Sequence, residues 1–163
     1  VNVLQKVQRE IPGISLTADI IVGFPQEEEN NFENTIKNLK KIGFSDLHVF
    51  PYSDREKTTA MLLEGKIEPS EKKKRIKEIE KFNNMKYIEY RKNMINSTQK
   101  VYIEEIVEDI AFGYTENYIK TFINLKKENK NHLELKVSDL IHVKIISFDG
   151  ILLEGDVIWE NFY

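Results

Sequence analysis

Two apolar runs, each ending in a polar turn, constrain the fold of this chain more than any other feature. They are residues 18–27 (ADIIVGFPQE) and residues 46–55 (DLHVFPYSDR), and the second begins nineteen residues after the first ends. The sequence between them has the spacing of an amphipathic helix, with apolar residues at Phe32, Ile36, Leu39 and Ile42. This order predicts a strand–loop–helix–strand–loop unit with parallel strands and a right-handed crossover. We therefore expect the chemistry of the chain at the loops where these strands end.

The first half of the chain is predicted to be part of a larger α/β domain. Residues 1–10 are expected to end an amphipathic helix. Residues 16–24 form a β-branched run with little alternation, which is typical of a strand buried on both faces of a parallel sheet. The following helix should end at Gly43, before a short strand over 47–50. Because two strands do not complete a sheet and the first residue is Val1 rather than Met, we expect the chain to be a piece of a longer protein.

A long helix is predicted next, with Ser70 as its N-cap and residues 96–97 at its end. Its apolar face should pack back on the α/β portion, with Asn83 as the single polar interruption. The members of that face are Ile76, Ile79, Tyr87, Tyr90 and Met94.

From Lys100 onward the sequence changes to short β-rich runs. The predicted strands are residues 101–107, 118–125, 140–148 and 151–159. Gly113, the polar stretch 126–132 and a hairpin signal at Asp149-Gly150 separate them. The predicted fold class is therefore α/β plus all-β: an incomplete parallel α/β portion over residues 1–96 and a small antiparallel β-barrel of the oligonucleotide-binding kind over 97–163.

Composition and charge exclude several classes of function. The chain has no cysteine, which excludes disulfides and thiolate-bound metal, and its three histidines lack the spacing of a metal site. No apolar run approaches the length of a membrane span, and no signal peptide is apparent. Residues 66–96 carry 10 Lys/Arg against 5 Asp/Glu, whereas residues 97–163 carry 7 against 12. We expect a polyanion to meet the middle segment first, although its basic run is equally typical of a solvated helical face.

The two strand-end loops are the candidate ligand-binding segments. In the first, Gly23 permits close backbone approach, Pro25 fixes the turn and Glu27 lies at the start of the next helix. This loop can hold a polar ligand through its backbone, or it can be an ordinary strand-to-helix turn. In the second loop, over 52–55, Arg55 can bind a carboxylate or phosphate, or be a surface arginine.

Three ordered segments of the chain resemble the radical S-adenosylmethionine methylthiotransferase family. Residues 18–32 (ADIIVGFPQEEENNF) resemble its signature, usually D-I-I-V-G-F-P-G-E-T-E-E-D-F, and residues 47–60 (LHVFPYSDREKTTA) resemble its next strand and loop, usually H-V-F-P-Y-S-x-R-x-G-T-x-A. Residues 113–120 (GYTENYIK) and 153–155 (LEG) resemble its RNA-binding TRAM domain. The resemblance spans essentially the whole chain. The G-Y/H-T-x-N-Y motif in residues 113–118 is most similar to that of the branch acting on threonylcarbamoyladenosine in tRNA.

The resemblance implies that this chain is the C-terminal part of the radical S-adenosylmethionine barrel followed by a TRAM domain. Family members add a methylthio group to an adenosine beside the tRNA anticodon, and they cleave S-adenosylmethionine with a 4Fe-4S cluster and usually carry a second cluster. Without cysteine we expect neither cluster here, no bound cofactor, no catalytic residue and no turnover by the isolated piece. The residues expected to border S-adenosylmethionine in the full-length enzyme are Ile21, Gly23, Phe24, Pro25, Phe50 and Tyr52.

Two positions depart from the family pattern. Gln26 and Lys57 each stand where the family usually has glycine. Gln26 is expected to be strained if its turn requires a positive φ, and Lys57 is interpreted as a loop substitution.

The expected partner is the anticodon region of tRNA, in the cytoplasm and away from any membrane. The expected RNA contacts are Lys72, Lys73, Lys74, Arg75, Tyr114, Asn117, Tyr118, Lys120 and Lys144. Because residues 97–163 are acidic, this part should bind through a local patch and through aromatic rings that stack on bases. Tyr118 has a second interpretation as a core tyrosine.

Three alternatives remain open from the sequence. The same chemistry can act on isopentenyladenosine in tRNA, or on a ribosomal protein, as sister branches of the family do. A different class of function is a stand-alone, non-catalytic RNA-binding module whose α/β part is only a scaffold.

Overall fold

The computed structural model describes residues 1–126 and 135–158. The chain folds into two compact units, Val1–Tyr87 and Ile88–Tyr163, and the boundary between them falls inside a helix. We call them unit 1 and unit 2 and describe each by itself.

Unit 1 contains a two-stranded parallel sheet covered by helices. Its elements are α1 (Asn2–Glu10), β1 (Thr17–Val22), α2 (Glu29–Lys41), β2 (Asp46–Pro51), a 3-10 helix (Thr59–Leu62) and the first part of α3 (Pro69–Asn93). In the parallel register Thr17 lies opposite Asp46 and Val22 opposite Pro51, which confirms the predicted parallel pairing of the two strands. A reciprocal capping box between Glu28 and Asn31 begins α2.

The sheet buries one face, so the prediction of a strand buried on both faces is wrong. Alternate residues of β1 are buried or half-buried, and they pack with α2 and the start of α3 around Val22, Leu47 and Ile79. On the other face Ile21 is 59% exposed and Phe50 is 50% exposed. Ile21 is apolar although it lies on the face that the described residues leave open. The sequence of β1 therefore shows no alternation of apolar and polar residues.

Two predictions for the long helix are corrected. Pro69 is the first residue of α3, so Ser70 lies inside the helix and is not its N-cap; the Glu68 carbonyl accepts the first helical N–H bonds instead. The apolar face also divides between the units. Ile76 and Ile79 belong to the core of unit 1, whereas Tyr90 and Met94 pack in the core of unit 2.

The polar interruption of that face has a structural partner. The Asn83 amide nitrogen donates 2.9 Å to a carboxylate oxygen of Asp46 and 3.0 Å to the carbonyl of Leu47. Asn83 therefore anchors the start of β2 to α3, and the polar residue is not a break in the packing.

Unit 2 is a closed β-barrel. Its strands are β3 (Thr98–Val107), β4 (Ile110–Thr115), β5 (Lys120–Asn124), β6 (Leu140–Phe148) and β7 (Leu153–Val157), in the order β3-β4-β5-β7-β6. All pairs are antiparallel except β5 with β7. Fully buried residues such as Val101, Ile123 and Ile145 fill the interior.

The sequence does not predict β4, because a glycine such as Gly113 is typical of a break between strands. Gly113 lies in the middle of β4, where a Cβ would collide with the Tyr102 carbonyl oxygen and lie 2.8 Å from Val101 Cγ1. Glycine is therefore required here by the close approach of β3, not by a turn. The predicted strand over 118–125 begins only at Lys120.

The Asp149-Gly150 turn joins β6 to β7 as predicted. Gly150 has φ +105°, and one Asp149 carboxylate oxygen accepts from the N–H groups of Leu152 and Ile151 at 2.7 and 2.8 Å. The bond from Leu152, and then that from Ile151, lowers the pKa of Asp149. Trp159, at the end of the predicted last strand, and residues 127–132 of the polar loop lie outside the described residues.

Candidate functional site

A cleft of about 840 Å³ opens in unit 1 at the carboxyl ends of β1 and β2. Ile21, Phe24, Phe50 and Tyr52, which the sequence predicted as cofactor contacts, line it. Gly23 and Pro25 lie in the loop that carries Phe24 but do not line the cleft themselves. Asp19, Ser53 and Arg55 add polar groups to the wall.

An aromatic pair forms part of the cleft wall. The rings of Phe24 and Tyr52 meet edge to face with centroids 5.1 Å apart. The Tyr52 hydroxyl is shielded from solvent and lacks a hydrogen bond of ordinary geometry. Burial, and then the negative charge of Asp54, raises the pKa of this hydroxyl, so it is present as a phenol. Apolar rings beside a few polar groups suit a flat heteroaromatic ligand with a polar tail.

The loop after β1 is held by hydrogen bonds and contains backbone strain. The Gly23 N–H donates to the Glu27 carboxylate, and the Gln26 N–H donates 2.9 Å to the carbonyl of Gly65. Gln26 has φ +68° and Lys57 has φ +63°, in the left-handed region that favours glycine. The expected strain at Gln26 is therefore present. Lys57 has the same strain and is more than a neutral loop substitution.

The basic run at the start of α3 divides between two environments. Lys73 and Lys74 are exposed to solvent. Lys72 is half-buried: its Nζ donates 2.9 Å to the Tyr52 carbonyl and lies 5.3 Å from the centre of the Tyr52 ring. The Arg75 side chain is only 5% exposed and contacts Glu27. The predicted RNA contact of Arg75 does not fit this burial, because its guanidinium already binds carboxylates.

A second candidate surface lies on the outside of the barrel in unit 2. A groove of about 400 Å³ is lined by Tyr102, Tyr114, Tyr118 and Leu140 and by charged residues that include Lys100 and Glu116. Strand register explains the grouping. Lys120 lies opposite Tyr114, Tyr114 opposite Tyr102, and Tyr102 opposite Leu140, so one row crosses four neighbouring strands.

Tyr118 projects from the turn between β4 and β5. Its side chain is 87% exposed and its φ is +59°, so the interpretation as a core tyrosine is wrong. Buried Thr115 fixes this turn. Its hydroxyl accepts from the Ile119 N–H at 3.1 Å, and its carbonyl accepts from the Tyr118 N–H at 2.9 Å. The turn thus holds the large ring of Tyr118 in solvent. The positive φ of this residue is energetically costly for a bulky side chain.

The other predicted RNA contacts of unit 2 are dispersed. The Lys120 Nζ lies 5.7 Å from the centre of the Phe112 ring. Asn117 is half-buried in the turn that carries Tyr118. Lys144 is on β6 opposite Thr98 and Asp156, four residues along the strand from Leu140, or about 13 Å. The structure therefore groups Tyr114, Tyr118 and Lys120, and leaves Lys144 apart.

Tyr102 and Leu140 belong to the same groove, and the sequence did not predict them as site residues. Tyr102 is 46% exposed and Leu140 is 56% exposed. Alternation within residues 101–107 places Tyr102 on the outer face of its strand, but only the register between strands places it beside Tyr114.

Within residues 1–126 and 135–158, no group of three or more His, Cys, Asp or Glu side chains is arranged to hold a metal ion. No helix in these ranges has both the length and the apolar character that crossing a bilayer requires.

Comparison with known proteins finds relatives along most of the chain, although no family model matches it. The chain is 38% identical over 145 residues, 85% of its length, to tRNA-2-methylthio-N(6)-dimethylallyladenosine synthase of Endomicrobium trichonymphae. It is 32% identical over 157 residues, 96% of its length, to threonylcarbamoyladenosine tRNA methylthiotransferase MtaB of Thermotoga maritima. It is 33% identical over 150 residues, 89% of its length, to ribosomal protein uS12 methylthiotransferase RimO of Clostridium botulinum.

The matches cover 35%, 36% and 32% of these three proteins, so the chain spans about a third of the length of the curated relatives it matches. Among solved structures, a multidomain protein with nucleic acid binding domains from Streptococcus pneumoniae overlaps 43% of this chain and 25% of its own, with 19% identity and a TM-score of 0.36. That score is too low to support an argument about fold or function.

Proposed function

The chain belongs to the radical S-adenosylmethionine methylthiotransferase family, and we propose that it is the C-terminal part of a tRNA methylthiotransferase that modifies threonylcarbamoyladenosine beside the anticodon. In this proposal residues 1–96 complete the family's α/β barrel and residues 97–163 are its TRAM domain. The enzyme acts in the cytoplasm. The observation that carries the proposal is the cleft at the ends of β1 and β2, which is formed by the two segments that resemble the family signature.

The residues of the cleft fit S-adenosylmethionine. Phe24, Phe50 and Tyr52 provide an apolar, aromatic wall for the adenine ring. Arg55, which lines the same cleft, can pair with the carboxylate of the methionine part. When bound, S-adenosylmethionine supplies the radical chemistry of the family, and these residues bind it, orient it and exclude water.

The residues of this chain do not fit an iron–sulfur cluster. The 163 residues contain no cysteine, so the thiolates that hold such clusters must come from elsewhere in the enzyme. We expect the isolated chain to bind RNA and to have no turnover.

The groove of unit 2 is the proposed contact with RNA. Tyr118 and Tyr102 offer exposed ring faces on which unpaired bases can stack, and stacking does not require a basic surface. Lys120 and Lys144 on the barrel, with Lys73 and Lys74 on α3, supply positive charge for the phosphate backbone. Nearby Glu104 and Glu116 limit that attraction, so binding by the isolated chain should be weak.

The proposal of threonylcarbamoyladenosine as the substrate rests on the sequence motif of residues 113–118. Overall identity to the relatives does not distinguish the branches of the family. Relatives named for dimethylallyladenosine, for threonylcarbamoyladenosine and for a ribosomal protein are 38%, 32% and 33% identical to this chain. The exposed aromatic groove favours an RNA target over a ribosomal-protein side chain.

Nucleoside mass spectrometry of total tRNA from cells lacking the full-length gene tests the function. Loss of 2-methylthio-threonylcarbamoyladenosine, with its unmethylthiolated precursor accumulating, is the expected result. Loss of the isopentenyl counterpart instead would move the protein to that sister branch. If neither nucleoside changed, the tRNA target would be wrong, and a ribosomal-protein target or a pure binding role would replace it.

Fluorescence anisotropy with a labelled anticodon stem-loop tests the RNA surface. We expect weak binding that falls as salt rises, and Tyr118→Ala or Tyr102→Ala should weaken it by about tenfold through the loss of stacking. Ile151→Ala is the matched control, since Ile151 is 73% exposed on the same barrel and does not line the groove. Equal affinities for all of these variants would exclude the groove.

A further inference from the structure

We propose that Lys72 and Arg75 are positioning residues that fix the two cleft loops relative to each other. This inference rests on the proposed cofactor site and departs from the phosphate-contact role that the sequence predicted for both side chains. They lie three residues apart on α3 and therefore project on the same side of the helix. Each reaches a different loop of the cleft.

Arg75 holds the loop after β1. Its Nη1 donates to the Glu27 carbonyl at 2.8 Å and to a Glu27 carboxylate oxygen at 3.0 Å. The same carboxylate oxygen accepts the Gly23 N–H. The guanidinium therefore connects through one carboxylate to the backbone beside Phe24, whose ring forms the wall of the cleft.

Lys72 holds the loop after β2. Its Nζ donates 2.9 Å to the Tyr52 carbonyl. Its side chain also covers Gly23 so closely that a Cβ at that position would collide with Lys72 Cγ. Lys72 thus contacts both loops, and its position depends on Gly23 having no side chain.

The electrostatics around Arg75 favour a fixed geometry. Glu71 lies 3.3 Å and Glu29 lies 3.6 Å from the guanidinium, in addition to Glu27. Phe32 covers one side of the guanidinium group, with 5.1 Å from the ring centre to Cζ. A buried arginine with several acceptors has one low-energy orientation: Nη1 contacts Glu27, Nη2 faces Glu29 and Nε faces Glu71, and a lysine ammonium lacks the planar fork that reaches all three.

The consequence is that α3 sets the separation of Phe24 and Tyr52. These rings are 5.1 Å apart and belong to the loops that Arg75 and Lys72 hold. A shift of the order of 1 Å between such walls is enough to lower affinity and reactivity strongly. In the basic run of α3, residues 72 and 75 therefore contact the two loops of the cleft, whereas residues 73 and 74 are exposed to solvent.

The test compares Arg75→Lys, Arg75→Met and Lys72→Met with Lys73→Met, an exposed lysine of the same run, in the full-length enzyme. The first readout is the dissociation constant of S-adenosylmethionine, measured by equilibrium dialysis without turnover. The second is hydrogen–deuterium exchange of the peptide that carries the Gly23 N–H. We expect the first three variants to bind S-adenosylmethionine at least about tenfold more weakly and to lose protection at Gly23, while Lys73→Met matches the parent.

Two results separate the proposals. If the parent enzyme binds S-adenosylmethionine and Arg75→Met and Lys72→Met bind it equally well, the positioning role is wrong and the cofactor site stands. If the parent enzyme does not bind S-adenosylmethionine, the proposed cofactor site is wrong, and a role in positioning it is wrong as well. Arg75→Lys adds a graded check, because it keeps the positive charge and loses the planar guanidinium. If charge alone were required, this variant would bind S-adenosylmethionine as tightly as the parent enzyme. If the planar fork is required, it should bind more weakly.

Discussion

Replacing Arg75 by Met should destabilise unit 1 far more than the loss of an ordinary surface charge. The side chains of Arg75 and Glu27 are 5% and 13% exposed, and their charged atoms are 3.0 Å apart. The substitution leaves the Glu27 carboxylate enclosed without its cation, and Glu71 loses the same partner. Removing one partner of a buried pair costs about 3–5 kcal/mol.

The magnitude can be judged against a surface pair in the same unit. Lys37 and Glu33 are 3.5 Å apart with side chains 63% and 57% exposed, and such an i,i+4 pair contributes only about 0.3–0.5 kcal/mol. Lys37→Met is therefore the matched control. Because Glu27 keeps some contact with solvent, we expect Arg75→Met to cost about 3 kcal/mol, at the lower end of the range for buried pairs.

Urea denaturation followed by hydrogen–deuterium exchange of the peptides from β1 and α2 measures unit 1 separately from unit 2. The double variant Arg75→Met with Glu27→Gln removes the stranded charge and should recover at least about 1 kcal/mol relative to Arg75→Met. A loss below about 1 kcal/mol for Arg75→Met, or a double variant as unstable as the sum of the two single variants, would refute the reasoning.

Three further predictions concern strain, packing and pH. Gln26→Gly and Lys57→Gly should each stabilise unit 1 by about 0.5–1 kcal/mol in urea denaturation, because they relieve a positive φ, whereas glycine at a position with ordinary φ would destabilise. Gly113→Ala should cost more than about 2 kcal/mol, measured by thermal unfolding of unit 2, because the added methyl meets the Tyr102 carbonyl; a neutral result would mean that β3 and β4 are less closely spaced. Since the folded pKa of Asp149 is lowered, its contribution to stability is present above its unfolded pKa of about 3.9 and is lost as pH falls through the folded pKa. Asp149→Asn should abolish this acid-side loss, as monitored by NMR of the β6–β7 turn.

The sequence predicted the elements whose signals are local. Helix α2, with Phe32, Ile36 and Leu39 on its buried face, has both a clear period and a capped start. The parallel pairing of β1 with β2 followed from the helix between them. The hairpin at Asp149-Gly150 carries its own turn chemistry.

Relations between distant segments could not be predicted in the same way. Nothing near Gly113 in the sequence shows that β3 crosses it, so β4 was missed. Arg75 and Lys74 are adjacent residues of one basic run, and only the position of Glu27, forty-eight residues earlier, decides which of them is buried. Likewise Tyr102 joins the groove through strand register, which depends on the closed barrel.

The parallel pairing of β5 with β7 has a consequence for how unit 2 folds. Residues 121–123 pair with residues 153–155, and residues 98–102 pair with residues 140–144, whereas β3–β4, β4–β5 and β6–β7 join strands that are neighbours in the chain. Contacts between residues far apart in the sequence form late, because closing the loop between them costs conformational entropy that only later contacts compensate. Until this pair closes, β5 and β7 both expose unpaired backbone groups, and such edges recruit other chains. Intermediates in which β5–β7 or β3–β6 is still unpaired are therefore the species from which aggregation of this domain should begin.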